Sequence, residues 1–322
     1  MAARQRLVAP LLAIALGCGV TGAAHGQSTN APVTALITPV PACGAADALC
    51  RIVADKLGPL LGQTIVVESR AGAGGTIATS AVSRAAPDGR TLFCAPEYIF
   101  ISHLLSPGAT DPLNLEPVSL LATYPTVIVS RSTLPVATFP KLIDHARANP
   151  GRLNFASQGN GSMAHLILEA MKIRAGVEVA HVPYRGGAPA VTDILAGHVD
   201  LYAGPLPGVL EHIRAGKVRL IAPVARERLS EFPNVATTTE LLPGFEAAAF
   251  LGIAAPPATP KPIVEAIAAG IDTVLKMPDV RARFDSQQAR PSATSPAEMR
   301  RLVGEYVGIW QPVIAKARIT SN

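Results

Sequence analysis

Apolar positions along this chain fall into two alternating periods, short continuous runs and stripes at helical spacing. Residues 34–38, TALIT, read as a buried strand, and the segment after it places Leu49, Ile52, Val53 and Leu57 on one helical face before a stop at Gly58-Pro59. TIVVE (64–68) is a second strand, AGAGG (71–75) a loop, residues 76–85 a helix, and TLFCA (91–95) a third strand. A βαβαβ order of this kind builds a parallel sheet with helices on both faces.

The pattern restarts after residue 125. TVIVS (126–130) and LNFAS (153–157) read as strands, and Met163, Leu166, Ile167, Ala170 and Met171 then form an i, i+3, i+4, i+7, i+8 stripe. VAHVPY (179–184), the turn RGGA, a helix carrying Val191, Ile194 and Leu195 with a stop at Gly197, and VDLYAG (199–204) give a further βαβ unit. Two helices close the chain, one with Ile263, Ile267, Ile271 and Val274 in register and one over about Pro296 to Lys316. No solenoid period is visible.

The first 26 residues stand outside this alternation. Arg4 and Arg6 precede an apolar run from Leu7 to about Gly17, and small residues end at Ala24-His25-Gly26, the layout of a secretory signal. Cleavage after about Gly26 and export to the periplasm are expected. Lipid attachment at Cys18 is disfavoured, because Ala15 rather than a larger aliphatic residue stands three positions before it. The body that follows carries two fewer cationic residues than the whole chain, whose formal charge is +5. It lacks the clusters of Lys and Arg interleaved with aromatics that a nucleic-acid surface needs. Its length suits two lobes. Of the three cysteines left after cleavage, the odd count leaves at least one thiol free, and Cys50 and Cys94 read as small buried apolar residues in preference to a bridge.

The loop SQGNGS (157–162), between strand and amphipathic helix, brings backbone N–H groups to a helix N-terminus, where partial positive charge favours an anion. It is not a nucleophile elbow, because Phe155 stands where that strained turn requires glycine. Neither it nor AGAGGTIATS contains the lysine of a phosphate-binding P-loop, and Ile77 occupies the third glycine position of a dinucleotide fingerprint. The histidines are scattered singly, and no HExxH or CxxC occurs. Anion binding without chemistry, with neither cofactor nor metal, is the favoured reading. An exported serine hydrolase using Ser157 with His165 or His181 is the alternative.

Several segments, in one order and with matching spacing, carry a resemblance: VESRAGAGG (67–75), AAPDGRTL (85–92), LNFASQGNGSMAHL (153–166), HVPYRGGAPAVTDILAGHVDL (181–201) and APPATPKPIV (255–264). The chain resembles the extracytoplasmic solute receptors of the tripartite tricarboxylate transporters, the Bug receptors. The resemblance implies a two-lobed periplasmic binding protein of type II, each lobe a mainly parallel sheet flanked by helices. Residues 27–123 and 247–322 would form lobe 1 and residues 124–246 lobe 2. It implies a monomer that captures a small organic carboxylate between its lobes and presents it to membrane permease subunits.

The resemblance also assigns loops. PVPACGAAD matches a family pattern PFPPGGxxD at Pro39, Pro41, Gly44 and Asp47 and departs from it at Ala42 and Cys43. Ala42, Cys43, Gly44 and Asp47 would contact the ligand from lobe 1. Ser157, Gly159, Asn160, Gly161 and Ser162 would seat its carboxylate from lobe 2, beside Tyr184, Arg185, Gly186, Gly187 and Ala188. Ser162 also suits a helix N-cap. Where many relatives have an acid after VDLMF, this chain has VDLYAGPL, which weakens the case for a ligand ammonium group. Aromatic residues make up only 4 % of the chain, which argues against the stacked rings of a sugar site.

Overall fold

A computed structural model describes residues 32–40, 42, 45–106, 108–247, 249–287 and 289–320, so the expected signal segment and Cys18 lie outside the described residues. The strands are β1 (Val33–Thr38), β2 (Thr64–Ser69), β3 (Thr91–Pro96), β4 (Glu116–Tyr124), β5 (Thr126–Arg131), β6 (Asn154–Ser157), β7 (Ala180–Pro183), β8 (Leu201–Pro205), β9 (Val218–Pro223), β10 (Ala249–Ala255) and the short β11 (Arg290–Pro291). The helices are α1 (Ala45–Leu60), α2 (Thr76–Ser83), α3 (Ser102–Leu105), α4 (Phe139–Ala148), α5 (Met163–Ala175), α6 (Gly187–Ala196), α7 (Leu210–Arg214), α8 (Thr238–Leu241), α9 (Lys261–Lys276), α10 (Pro278–Ser286) and α11 (Pro296–Ala317).

Two sheets organise these elements, one in the order β11-β4-β10-β3-β1-β2 and one in the order β7-β6-β8-β5-β9. The expected parallel pairs are present: β1 runs parallel to β2 and β3, and β6 to β7 and β8. Both sheets are nevertheless mixed rather than mainly parallel. β10 pairs antiparallel with β3 and β4, and β5 antiparallel with β8 and β9. The antiparallel pairs arise where the chain crosses between sheets: β4 leads through Pro125 directly into β5, and β10 returns beside β4.

The helical stripes bury as their spacing requires. Leu166, Ile167, Ala170 and Met171 of α5, and Ile267, Ile271 and Val274 of α9, are all buried. α6 ends with Gly197 in the left-handed conformation, φ 81°, which caps its last turn. α1 runs past the expected stop, because Leu61 N–H still bonds to the carbonyls of Leu57 and Gly58 and continues the helical pattern beyond Pro59. Buried residues on one face of each sheet merge into a single core through α11, which packs on both β4 and α5. A file of aromatic rings runs through this region: Phe100 to Phe250 at 5.9 Å, Phe250 to Tyr306 at 5.4 Å, Tyr306 to Trp310 at 6.4 Å.

Cys50 and Cys94 are indeed fully buried, but they are joined by a disulfide, which corrects the expectation of unbridged residues. Packing of α1 on the sheet brings the two Cα atoms within 6.4 Å although they are 44 residues apart in sequence. In the second sheet, Asp200 ties three strands together, accepting from Arg131 Nε at 2.7 Å and from Asn154 N–H at 3.0 Å. The Asp200 N–H donates back to Asn154 Oδ1 at 2.7 Å.

Candidate functional site

The loop from β6 to α5 is held from behind by a histidine pair. Ser157, fully buried, has its Oγ 2.6 Å from His181 Nε2 and accepts the Gly159 N–H at 3.1 Å. The His181 ring stacks on His165 at 3.8 Å between centroids, and His165 Nδ1 accepts the Gly161 N–H at 3.1 Å. Burial is the main cause that holds both imidazoles down to about 4, helped by the neighbouring Lys172 for His165 and by His165 itself for His181. Both rings are therefore neutral near pH 7 and serve as hydrogen-bonding struts.

That scaffold sets the front of the loop. Ser162 occupies the N-cap position of α5 but its side chain makes no capping bond, and its buried Oγ has no hydrogen-bond partner. The first N–H groups of α5 are thus left for something other than the helix to satisfy. Gly161 adopts φ +72°, and a Cβ there would stand 3.0 Å from Leu105 Cδ1 of α3, on the opposite side of the cleft. Close approach and backbone conformation together require glycine.

A cavity of about 430 Å3 lies in front of this loop. From the β7-β6-β8-β5-β9 sheet and its connections come Gln158, Asn160, Gly161, Ser162, Met163, Gly204 and Pro205. From the other sheet and its connections come Ala73 and Gly74 of the loop after β2, Thr76 at the start of α2, Glu97 and Tyr98 of the turn after β3, and Ser102, Leu105 and Ser106 around α3. Thr126 and Ala249, at the two crossings, complete the lining. Gln158 is fixed through Nε2 to Tyr202 Oη at 2.8 Å and to the Ala203 carbonyl at 3.0 Å. The Tyr202 ring lies where a Cβ on residue 204 would be, which gives Gly204 a packing reason to be glycine.

Glu97 is the one carboxyl among the described residues lining the cavity. Burial pushes it up to about 7, opposed by hydrogen bonds from its own N–H and that of Phe250. It therefore changes charge near neutral pH.

The structure brings Asn160, Gly161 and Ser162 to the cavity wall and leaves the other described residues of the expected set out of its lining. Ser157 and Gly159 support the loop from the back, as described. The 184–188 segment braces it: Tyr184 N–H bonds to the Ser157 carbonyl at 3.0 Å and Gly186 N–H to that of Gln158 at 3.3 Å. Tyr184 Oη donates to Asp193 Oδ2 at 2.6 Å, and burial together with that carboxylate pushes its phenol up to about 12. Gly187 opens α6, while Arg185 and Ala188 are exposed. Ala42 is exposed, and Asp47, only 1 % exposed, is gripped by Arg51 through Nε at 2.9 Å and Nη2 at 3.1 Å. Cys43 and Gly44 lie outside the described residues.

Glu97, Thr126 and Gln158 were not singled out by sequence reasoning, since no spacing rule marks an isolated acid after a strand. The AGAGG loop, tested there only as a nucleotide motif, does contribute to the wall. Gly75 within it carries φ +95° and lies so close to Ile99 that no side chain fits.

The sequence profile of the tripartite tricarboxylate transporter family receptor matches residues 49–319. Protein BugT of Bordetella pertussis is 33% identical over 314 residues, covering 96% of both chains. Among solved structures, Rpa4515 of R. palustris with adipate is similar at 30% identity and TM-score 0.76, covering 90% of this chain and 98% of its own. MatC of Rhodopseudomonas palustris with bound malate is similar at 30% identity and TM-score 0.73, covering 88% of this chain and 99% of its own.

Proposed function

The chain belongs to the tripartite tricarboxylate transporter receptor family, and we propose that it is an exported receptor that seats a small organic carboxylate at the N-terminus of α5. The observation that carries this reading is the cavity-lining Ser162, whose Oγ is buried without a partner at the N-terminus of α5, where no side chain caps the first turn. A carboxylate oxygen satisfies both, and the helix field favours its charge. The adipate and malate held by the two similar R. palustris proteins support the ligand class.

Residues 27–123 with 247–322 and residues 124–246 act in this proposal as two bodies joined at crossings near Thr123-Tyr124 and Ala249-Phe250. Closure is stabilised because the ligand touches both bodies only when they meet. The 1–26 segment is removed on export, and the closed monomer then engages the permease subunits of its transporter. Ser157 does no chemistry, being walled in by Gly159 and His181 and absent from the cavity surface. Mass spectrometry of ligand released from freshly purified protein tests the proposal, followed by calorimetry with the acid identified and an ester panel. A released carboxylic acid that rebinds without turnover is expected; Ser157-dependent ester hydrolysis overturns the reading.

A further inference from the structure

Two features of the cavity floor meet at the crossings between the sheets. Glu97 follows directly on β3 and its carboxyl receives the N–H of Phe250, from the crossing strand β10. Thr126 begins β5, is 1 % exposed, lines the same cavity, and its Oγ1 has no hydrogen-bond partner. The floor therefore gathers a carboxyl and an unpartnered hydroxyl, and no Lys, Arg or His occurs among the described residues of the lining.

A second carboxylate is a poor occupant of such a floor, since it meets an acid with no cation to offset either charge. Resting on the carboxylate-seat reading above, we infer that Glu97 is a specificity determinant and that the ligand is an amino acid whose ammonium group pairs with Glu97 while its carboxylate sits at the α5 N-terminus. An ammonium group carries three donors, enough for the Glu97 carboxylate with Thr126 Oγ1. Tyr98, also in the lining, adds an aromatic ring of the kind that attracts a cation. This revises the weaker case for an ammonium made from Gly204: the acid absent after β8 is supplied after β3.

The titratable groups facing Glu97 are the phenols of Tyr98 on its own turn, Tyr124 at the end of β4 and Tyr306 on α11, all raised by burial and by Glu97 itself. None of them ionises near neutrality, so Glu97 alone sets the pH response of the floor. Since it titrates at about 7, preference for an aminated ligand grows from pH 6 to pH 8 as the carboxyl loses its proton.

The test uses the signal-free chain, stripped of bound ligand by unfolding and refolding with its disulfide intact. Calorimetry compares butanoate, pentanoate and hexanoate with their 2-amino and ω-amino derivatives and with succinate, glutarate and adipate. The best aminated acid is expected to bind at least about tenfold tighter than its parent at pH 8, with a smaller advantage at pH 6. Glu97→Gln is expected to erase that advantage. Preference for a parent or a diacid, a preference that Glu97→Gln leaves intact, or no binding by any member overturns the inference. Should Glu97→Gln not fold, the wild-type pH series decides alone, and a preference that is flat with pH overturns it. The carboxamides of the aminated acids separate the two proposals. If they bind as well as the acids, the carboxylate seat fails; if acids bind but amination brings nothing, the Glu97 assignment fails and the receptor reading stands.

Discussion

Two sets of titratable groups flank the cleft, and burial moves both toward neutrality with opposite consequences. His165 and His181, behind the 157–162 loop, are held at about 4 and have their ring nitrogens engaged by Gly161 N–H and Ser157 Oγ. Glu97 stands on the cavity side, is raised to about 7, and shares the lining with Thr126, whose hydroxyl lacks a partner. A satisfied, uncharged pair positions backbone; an acid that titrates at working pH beside an unpartnered hydroxyl is the group proposed to meet ligand. A perturbed value alone does not separate these roles, and the state of the neighbouring hydrogen bonds does.

The largest expected effect tests whether the two sides are held independently. Cys94 lies on β3, whose end carries Glu97, and its bridge to Cys50 closes a loop of 44 residues. Reduction of the bridge should cost about 4 kcal/mol of stability on the chain-entropy account. Hydrogen exchange should quicken in α1 and β3 first, leaving the 157–162 loop protected. Simultaneous loss of protection in both would show one cooperative unit.

Next in size is Gly161→Val, which drives a branched side chain toward Leu105 at a backbone φ of +72°. Ligand affinity should fall about 100-fold, or about 2.7 kcal/mol, by calorimetry. The circular dichroism spectrum should be unchanged. Unchanged affinity in the folded variant would remove the loop from the site. Smaller again is Ser157→Ala, which leaves the buried His181 Nε2 and the Gly159 N–H without their shared partner. Stability should drop by about 1.5 kcal/mol in urea titrations, with affinity reduced only modestly. A large affinity loss at constant stability would place Ser157 on the ligand instead.

The same contrast explains what the sequence revealed. Stripes such as Leu166-Ile167-Ala170-Met171 were legible because they bury one face at a fixed period, short runs such as TALIT because a helical stripe follows at once in βαβ order, and Asn160 to Ser162 because a glycine loop before a helix has a known electrostatic use. β4 and β10 escaped attention: AFLGIAA is buried at every position and EPVSLLATY nearly so, and a run without alternation carries no orientation. Their antiparallel pairing depends on a return crossing more than a hundred residues away. The Cys50–Cys94 bridge and the Glu97–Phe250 contact were hidden for the same reason, since tertiary packing and not local spacing brings the partners together.

The smallest effect is a pH dependence in which the two sides pull against each other. Glu97 holds, in the folded chain, a proton that an ordinary carboxyl with a value of 4.5 has released. Its contribution to stability is therefore complete below pH 4.5 and declines as pH rises to about 7. The histidines do the reverse: folded, they have shed protons that free imidazoles keep below 6.5, so their contribution is complete above pH 6.5 and is lost as pH falls toward about 4. Between pH 4.5 and 6.5 the slopes oppose each other, and because two imidazoles stand against one carboxyl, wild-type stability should still rise with pH. Subtracting the urea stability of Glu97→Gln from that of wild type at each pH cancels the histidines and every other group the substitution leaves alone. The difference should fall across pH 4.5 to 7 and stay level outside that window. A level difference throughout would mean that Glu97 titrates as an ordinary solvated carboxyl, and the contrast between the two sides of the cleft would vanish with it.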